Sequence, residues 1–139
     1  MKRALLILIA LATLSVGALS AQTVRNANNA AIGKIEKNGS VRNASNALIG
    51  KFESDGDVRN ASNALIGKID SNGTIRNKNN AVIGKVESNG RVANASNATL
   101  GKVESNGDVR NASNSLIGKA PGINRRRAAA AFFFFFFKQ

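Results

Sequence analysis

From Val24 to Ala120 the chain is one 17-residue phrase written over and over, and that period restricts its fold more than any other feature. VRNANNAAIGKIEKNGS starts at Val24, VRNASNALIGKFESDGD at Val41 and VRNASNALIGKIDSNGT at Val58. IRNKNNAVIGKVESNGR follows from Ile75 and VANASNATLGKVESNGD from Val92, and a shortened sixth copy, VRNASNSLIGKA, runs from Val109 to Ala120. A period held without insertion is the signature of units that bury their apolar faces only against their neighbours. Architecture is therefore far more legible here than function.

Positions are numbered from the leading Val. Two turn signals divide each unit, S-N-G near its end and N-A-S-N near its front, where Gly or Asn supplies a positive φ. A two-residue Asn-Gly turn would set Val at position 1 opposite the acid at position 13. A three-residue loop closing on Gly sets it opposite the apolar residue at position 12 instead. The second register matches Ile35 with Val41, Phe52 with Val58 and Ile69 with Ile75, so the apolar pattern selects it. At the other turn, Asn46 and Asn63 in the left-handed region would pair Val41 with Ile49 and Val58 with Ile66. Positions 9 and 12 must then both face inward, and the Gly at position 10, from Gly33 to Gly118, reads as the bulge or bend that permits it.

The expected fold is all-β: an antiparallel meander of 17-residue repeats that turns a corner in every unit and closes, removing its exposed edges. Val24 and Ala120 are left as partners that would complete the ring. An open β-solenoid is the rival, but it would need polar caps that the chain does not show. Five S-N-G-type turns against six IG or LG dipeptides leave five or six petals open. Positions 1, 9 and 12 give eighteen inward residues, at roughly 1.5–3 kcal/mol each when buried. Ordering nearly a hundred residues costs roughly 100 kcal/mol or more. The ring looks underfilled by itself.

The phrases VRNASNALIGKIDSNG, the ending IGKA, the N-terminal apolar segment and the terminal AAAAFFFFFF resemble the β-flower repeat proteins, in particular the five-fold β-flower family. The resemblance covers the chain beyond its N-terminal segment. Where the family commonly has Gly, this chain has Asn46, Asn63 and Asn97, and Asn tolerates the same backbone region. The resemblance implies a closed pseudo-symmetric β-flower exported by a Gram-negative bacterium, and it carries over no catalytic residue.

Three segments are expected. Residues 1–21 read as an export signal, with Lys2 and Arg3 before the apolar run Ala4–Val16 and small residues at its exit. That places the protein in the periplasm, on the outer surface or outside the cell. Removing it leaves 18 basic against 8 acidic side chains, a formal +10 in place of +12. Residues 22–120 are the β-repeat domain. Residues 121–139 hold Arg125–Arg127, then Ala128–Ala131, then Phe132, Phe133, Phe134, Phe135, Phe136 and Phe137. Ten apolar residues are too few for a helix to span a membrane. The tail is expected to pack on the ring and supply its missing core; the alternative is an interfacial anchor that makes the protein peripheral to a membrane.

No His and no Cys are present, so neither a His-assisted nucleophile nor an ordinary zinc site can be built. The acids mostly repeat one position, Glu36, Glu53, Asp70, Glu87 and Glu104, whereas paired-carboxylate catalysis needs two acids in unlike environments. No enzyme activity, cofactor or metal is expected, although Ser54–Asp57 and Ser105–Asp108 faintly resemble calcium loops. The N-A-S and N-A-T sequences read as turn asparagines. The functional lead is basic. Lys34, Lys51, Lys68 and Lys102 fall opposite Arg42, Arg59, Arg76 and Arg110 on the outward face, where like charges repel. Either the acid at position 13 neutralises each pair, or the belt binds anionic glycans or lipopolysaccharide. Nucleic acid fits poorly, because no Trp or Tyr interleaves the basic residues. The oligomeric state is left open.

Overall fold

The computed structural model describes residues 22–138, so the expected export signal lies outside the described residues. Twelve short strands form six hairpins. They pair β1 (Thr23–Asn26) with β2 (Ala31–Ile35), β3 (Ser40–Asn43) with β4 (Leu48–Phe52), and β5 (Asp57–Asn60) with β6 (Leu65–Ile69). The second half repeats this with β7 (Thr74–Asn77) and β8 (Val82–Val86), β9 (Arg91–Asn94) and β10 (Thr99–Val103), and β11 (Asp108–Asn111) and β12 (Leu116–Lys119). Each strand pairs antiparallel with the next, and β1 pairs with β12 through Arg25 opposite Lys119 and Asn26 opposite Gly118. The ring is closed, and it has six petals.

The S-N-G register is the expected one: Ile35 lies opposite Val41, Phe52 opposite Val58 and Ile69 opposite Ile75. Its loops close on a glycine in the left-handed region, such as Gly39 at φ 96°. All six Asn at position 6 are also left-handed, at φ 68–70°. The Asn at position 3 holds this second turn. Asn43 Oδ1, for example, accepts from the N–H groups of Ser45 at 2.9 Å and Ala47 at 3.0 Å. The asparagines of the N-A-S sequences are thus turn residues in this fold.

The expected pairing of positions 1 and 9 is corrected by one residue. Val41 lies opposite Gly50 and Arg42 opposite Leu48, with Ile49 as the extra residue of a bulge. The same shift recurs in the other five hairpins. A bulge leaves one residue unpaired and bends its strand, and here the position-9 residues are the unpaired ones. Ile49 and its equivalents are half-buried, whereas all six position-1 residues have no exposed surface.

Inside the ring stands the tail. Asn124 caps a short helix, α1 (Arg125–Ala130), by accepting from the Arg127 N–H at 3.1 Å. A wider π-helical turn, Ala131–Phe135, follows directly. Ala128, Ala129, Ala130 and Ala131 have no exposed surface, and Phe132 keeps 1%. These four alanines are buried in one cluster with the residues of positions 1 and 12.

The phenyl rings meet the ring at its glycines. A β-carbon on the position-10 glycine of any petal would fall less than 3.0 Å from a phenyl carbon. Gly118 meets Phe132, Gly101 meets Phe133, Gly84 meets Phe134, Gly67 meets Phe135, Gly50 meets Phe136 and Gly33 meets Phe137. Six consecutive residues thus occupy six consecutive petals. Phe132 and Phe137 come side by side at 6.1 Å, about the spacing of Phe134–Phe135 at 6.4 Å and Phe135–Phe136 at 6.3 Å. The phenyl groups make one full circuit.

A chain ending at Arg127 loses one fully and five half-buried Phe together with the buried Ala, on the order of 10 kcal/mol of apolar burial. Domains usually hold only about 5–15 kcal/mol in reserve. Thermal melts followed by far-UV circular dichroism should therefore show no cooperative transition for the truncated chain. A sharp melt within a few degrees of the full-length protein would contradict this placement of the core.

Candidate functional site

The outward face of each petal seam is a charged network built by the strand register. Lys34 lies opposite Arg42, Lys51 opposite Arg59, Lys68 opposite Arg76 and Lys102 opposite Arg110. The position-13 acid enters between such pairs. Glu36 Oε2 lies 3.6 Å from both Lys34 Nζ and Arg42 Nε. Glu104 lies 3.4 Å from Lys102 Nζ and from Arg110 Nε through its two oxygens. Glu53 reaches Arg59 at 3.1 Å and Asp70 reaches Arg76 at 2.8 Å.

The arginines have a second task. The Nη1 of Arg42, Arg59, Arg76 and Arg110 donates to the carbonyl of Asn46, Asn63, Asn80 and Asn114 at 3.1–3.2 Å. Each guanidinium thereby ties the left-handed Asn of its own petal to the acid of the preceding unit. For Arg59 the hydrogen bond to Glu53 outweighs desolvation and raises its pKa above the ordinary arginine value, with Glu53, Asp57 and Asp55 adding attraction.

Shallow furrows separate the petals. One of about 370 Å³ is lined by Arg91, Thr99, Lys102, Asn111 and Asn114 among others. Its equivalent one petal back, about 130 Å³, is lined by Thr74, Val82, Lys85, Asn94 and Asn97 among others. Lysine and turn asparagines therefore recur at the same place in each furrow.

The family model described as 5-fold beta-flower protein matches residues 15–137. The chain is a beta-flower protein. The description names a five-fold flower, and this one closes with six petals. No curated protein and no solved structure gave a significant match.

In this beta-flower the eight basic candidates fall into three groups. Arg42, Arg59, Arg76 and Arg110 are engaged on both sides. Lys34 and Lys102 each face one acid. The side chains of Lys51 and Lys68 are exposed and make no hydrogen bond or ion pair among the described residues. The six phenyl groups are placed on the flower's own glycines, with Phe133–Phe137 half-buried. Among the described residues no helix is long and apolar enough to cross a membrane. The carboxylates of Glu53, Asp55 and Asp57 approach within 4.8 Å of one another. They already have partners: Arg59 bonds Glu53 and Asp57, and Asp55 Oδ1 accepts from the Asp57 N–H at 3.0 Å.

Two features escaped the sequence reading. The tail arginines are bound to the flower: Arg125 and Arg126 donate to the carbonyls of Ser88 and Ser71 in successive S-N-G turns. Arg127 stacks 5.9 Å from the Phe52 ring centroid, within cation–π range. The other feature is a substitution that the fifth petal repairs. It has Ala93 at position 2, and Arg91, two residues earlier on the same face, reaches Glu87 at 3.0 Å and the Asn97 carbonyl at 2.9 Å. The alternation of a strand could have revealed that swap in the sequence.

The repair is testable. Arg91→Ala should lower the stability of the flower by about 1 kcal/mol, the scale of exposed charge-assisted contacts. Adding Ala93→Arg, which restores the phrase used by the other petals, should return the melting midpoint. A double variant no more stable than Arg91→Ala would show that the two positions are not interchangeable.

Proposed function

We propose that this beta-flower is an exported, non-enzymatic binding protein whose outer wall meets anionic glycans, lipopolysaccharide included, through its lysines. The observation that carries the reading is the unequal engagement of the belt. Its arginines hold turns and acids, while Lys51 and Lys68 are exposed and have no partner among the described residues. The surplus of 18 basic over 8 acidic side chains after loss of the expected signal gives the wall a net positive field.

The furrows favour a sugar chain. Asn94 and Asn111 spend their Oδ1 atoms on backbone N–H groups at 2.9–3.0 Å, which leaves their NH₂ groups as donors for hydroxyl or sulfate oxygens. The non-enzymatic reading draws support from the acids: Glu36, Glu53, Asp57, Asp70, Glu87, Glu104 and Asp108 are all held in ion pairs. Anchoring to a membrane through the tail would have only the exposed parts of Phe133–Phe137 to use while these phenyl groups stay on their glycines.

An array of anionic glycans and lipopolysaccharide should retain the purified protein at low ionic strength. Binding should weaken steeply toward physiological salt, where exposed charges are screened beyond ~8 Å. Lys51→Gln with Lys68→Gln should reduce retention without moving the melting midpoint. Retention that is absent at low salt, or indifferent to it, would contradict the proposal.

A further inference from the structure

We propose that the seam where the ring closes, at Arg25 and Lys119, is an oxyanion site that takes one sulfate, phosphate or carboxylate group of the glycan assigned above to the outer wall. The inference rests on that assignment and locates its strongest point.

The other petals supply the template. Where β2 meets β3 and β10 meets β11, one carboxylate lies 3.4–3.6 Å from the lysine Nζ and from the arginine Nε that face each other. The seam has the same register, Arg25 opposite Lys119. The residue that should bring the acid is Pro121, standing where the others have Glu36, Glu53, Asp70, Glu87 and Glu104. The chain then turns away into the ring, with Gly122 at φ 76° and Asn124 spent on capping the tail helix.

Among the described residues neither cation has an acid within ion-pair distance. Arg25 Nη1 donates to the Asn29 carbonyl at 3.0 Å, as the other belt arginines do to theirs. The Lys119 side chain has no hydrogen bond or ion pair among the described residues. Asp108, opposite Lys119 on β11, has Arg110 as its ion-pair partner at 3.7 Å. Two like charges directly opposite on a sheet repel, and both side chains are only half-buried, so an external oxyanion can reach them. Among the six lysine positions of the belt, this is the one that keeps a facing arginine and lacks its acid.

Titration of the purified protein with a fully sulfated heparin tetrasaccharide at low salt tests the site. Lys119→Gln should weaken binding about fivefold, equivalent to roughly 1 kcal/mol at an exposed ion pair. Lys78→Gln, an equal loss of charge at an exposed turn residue outside the belt, should weaken it less than about twofold. Pro121→Glu, which returns the acid to the chain, should weaken binding as Lys119→Gln does. All three variants should melt with the parent.

Equal losses for Lys119→Gln and Lys78→Gln would overturn the seam while leaving the outer-wall reading intact. If the parent binds no glycan, the outer-wall reading fails, and inorganic phosphate becomes the probe. Phosphate-induced shifts confined to the Arg25 Nε–H and Lys119 amide resonances would keep the seam as an oxyanion site. No shift there would remove it.

Discussion

The contact between six phenyl rings and six glycines is the constraint on which the rest of the structure depends. Each position-10 glycine lies where a β-carbon would collide with a phenyl ring and with a neighbouring strand's carbonyl; at Gly67 these are Phe135 and Arg76 O. The glycines are required by what approaches them, whereas those of the S-N-G turns, such as Gly39, are required by their φ. Because the repeats are shallow, with strands of four or five residues, the ring has too little interior of its own. The tail supplies the remainder: small alanines on the axis, then one aromatic group for each petal.

That stoichiometry dictates an unusual helix. An α-helix advances about 100° per residue, too far for six consecutive residues to visit six petals in one circuit. The tail slows its rotation by widening: the Phe136 N–H bonds to the Ala131 carbonyl at 3.1 Å, five residues back, and the Phe137 N–H to the same carbonyl at 2.7 Å, six back. A π-turn normally marks a functional or strained place in a helix; here it matches a helical segment to a six-petalled ring. Near-symmetry leaves the question of which phenyl takes which petal, and departures from symmetry answer it. Phe52, the one aromatic at position 12, packs edge-on to Phe136 at 5.5 Å and carries Arg127 on its own face. The short tether from Ala120 and the bonds of Arg125 and Arg126 to neighbouring turns agree with that register.

Much of this was legible in the sequence because repetition multiplies weak signals. One Val opposite one Ile proves little, but the same match in every unit fixed the register, and the unpartnered Val24 and Ala120 pointed to closure. The petal number, left between five and six, needed the pairing of Arg25 with Lys119. The bulge was misplaced by one residue because Ile49 is apolar, and apolarity alone cannot separate the wall of a core from its rim. The reading of the position-10 glycine as the bend was therefore one residue off, and it missed what that glycine is kept for. A glycine kept clear for a phenyl ring looks identical in sequence to one kept for a bulge. Belt chemistry divided similarly: the opposition of Lys and Arg followed from register, but the arginine bond to the left-handed Asn carbonyl is a three-dimensional fact with no sequence mark.

The most direct test of the account is a solution NMR measurement of nuclear Overhauser contacts between glycine α-protons and phenyl ring protons in the labelled full-length protein. The structure requires every position-10 glycine to contact a phenyl group, in the descending order Gly118 with Phe132 through Gly33 with Phe137, and their α-protons to carry ring-current shifts. Phenyl resonances at random-coil positions, or contacts to position-12 side chains with none to glycine, would contradict it.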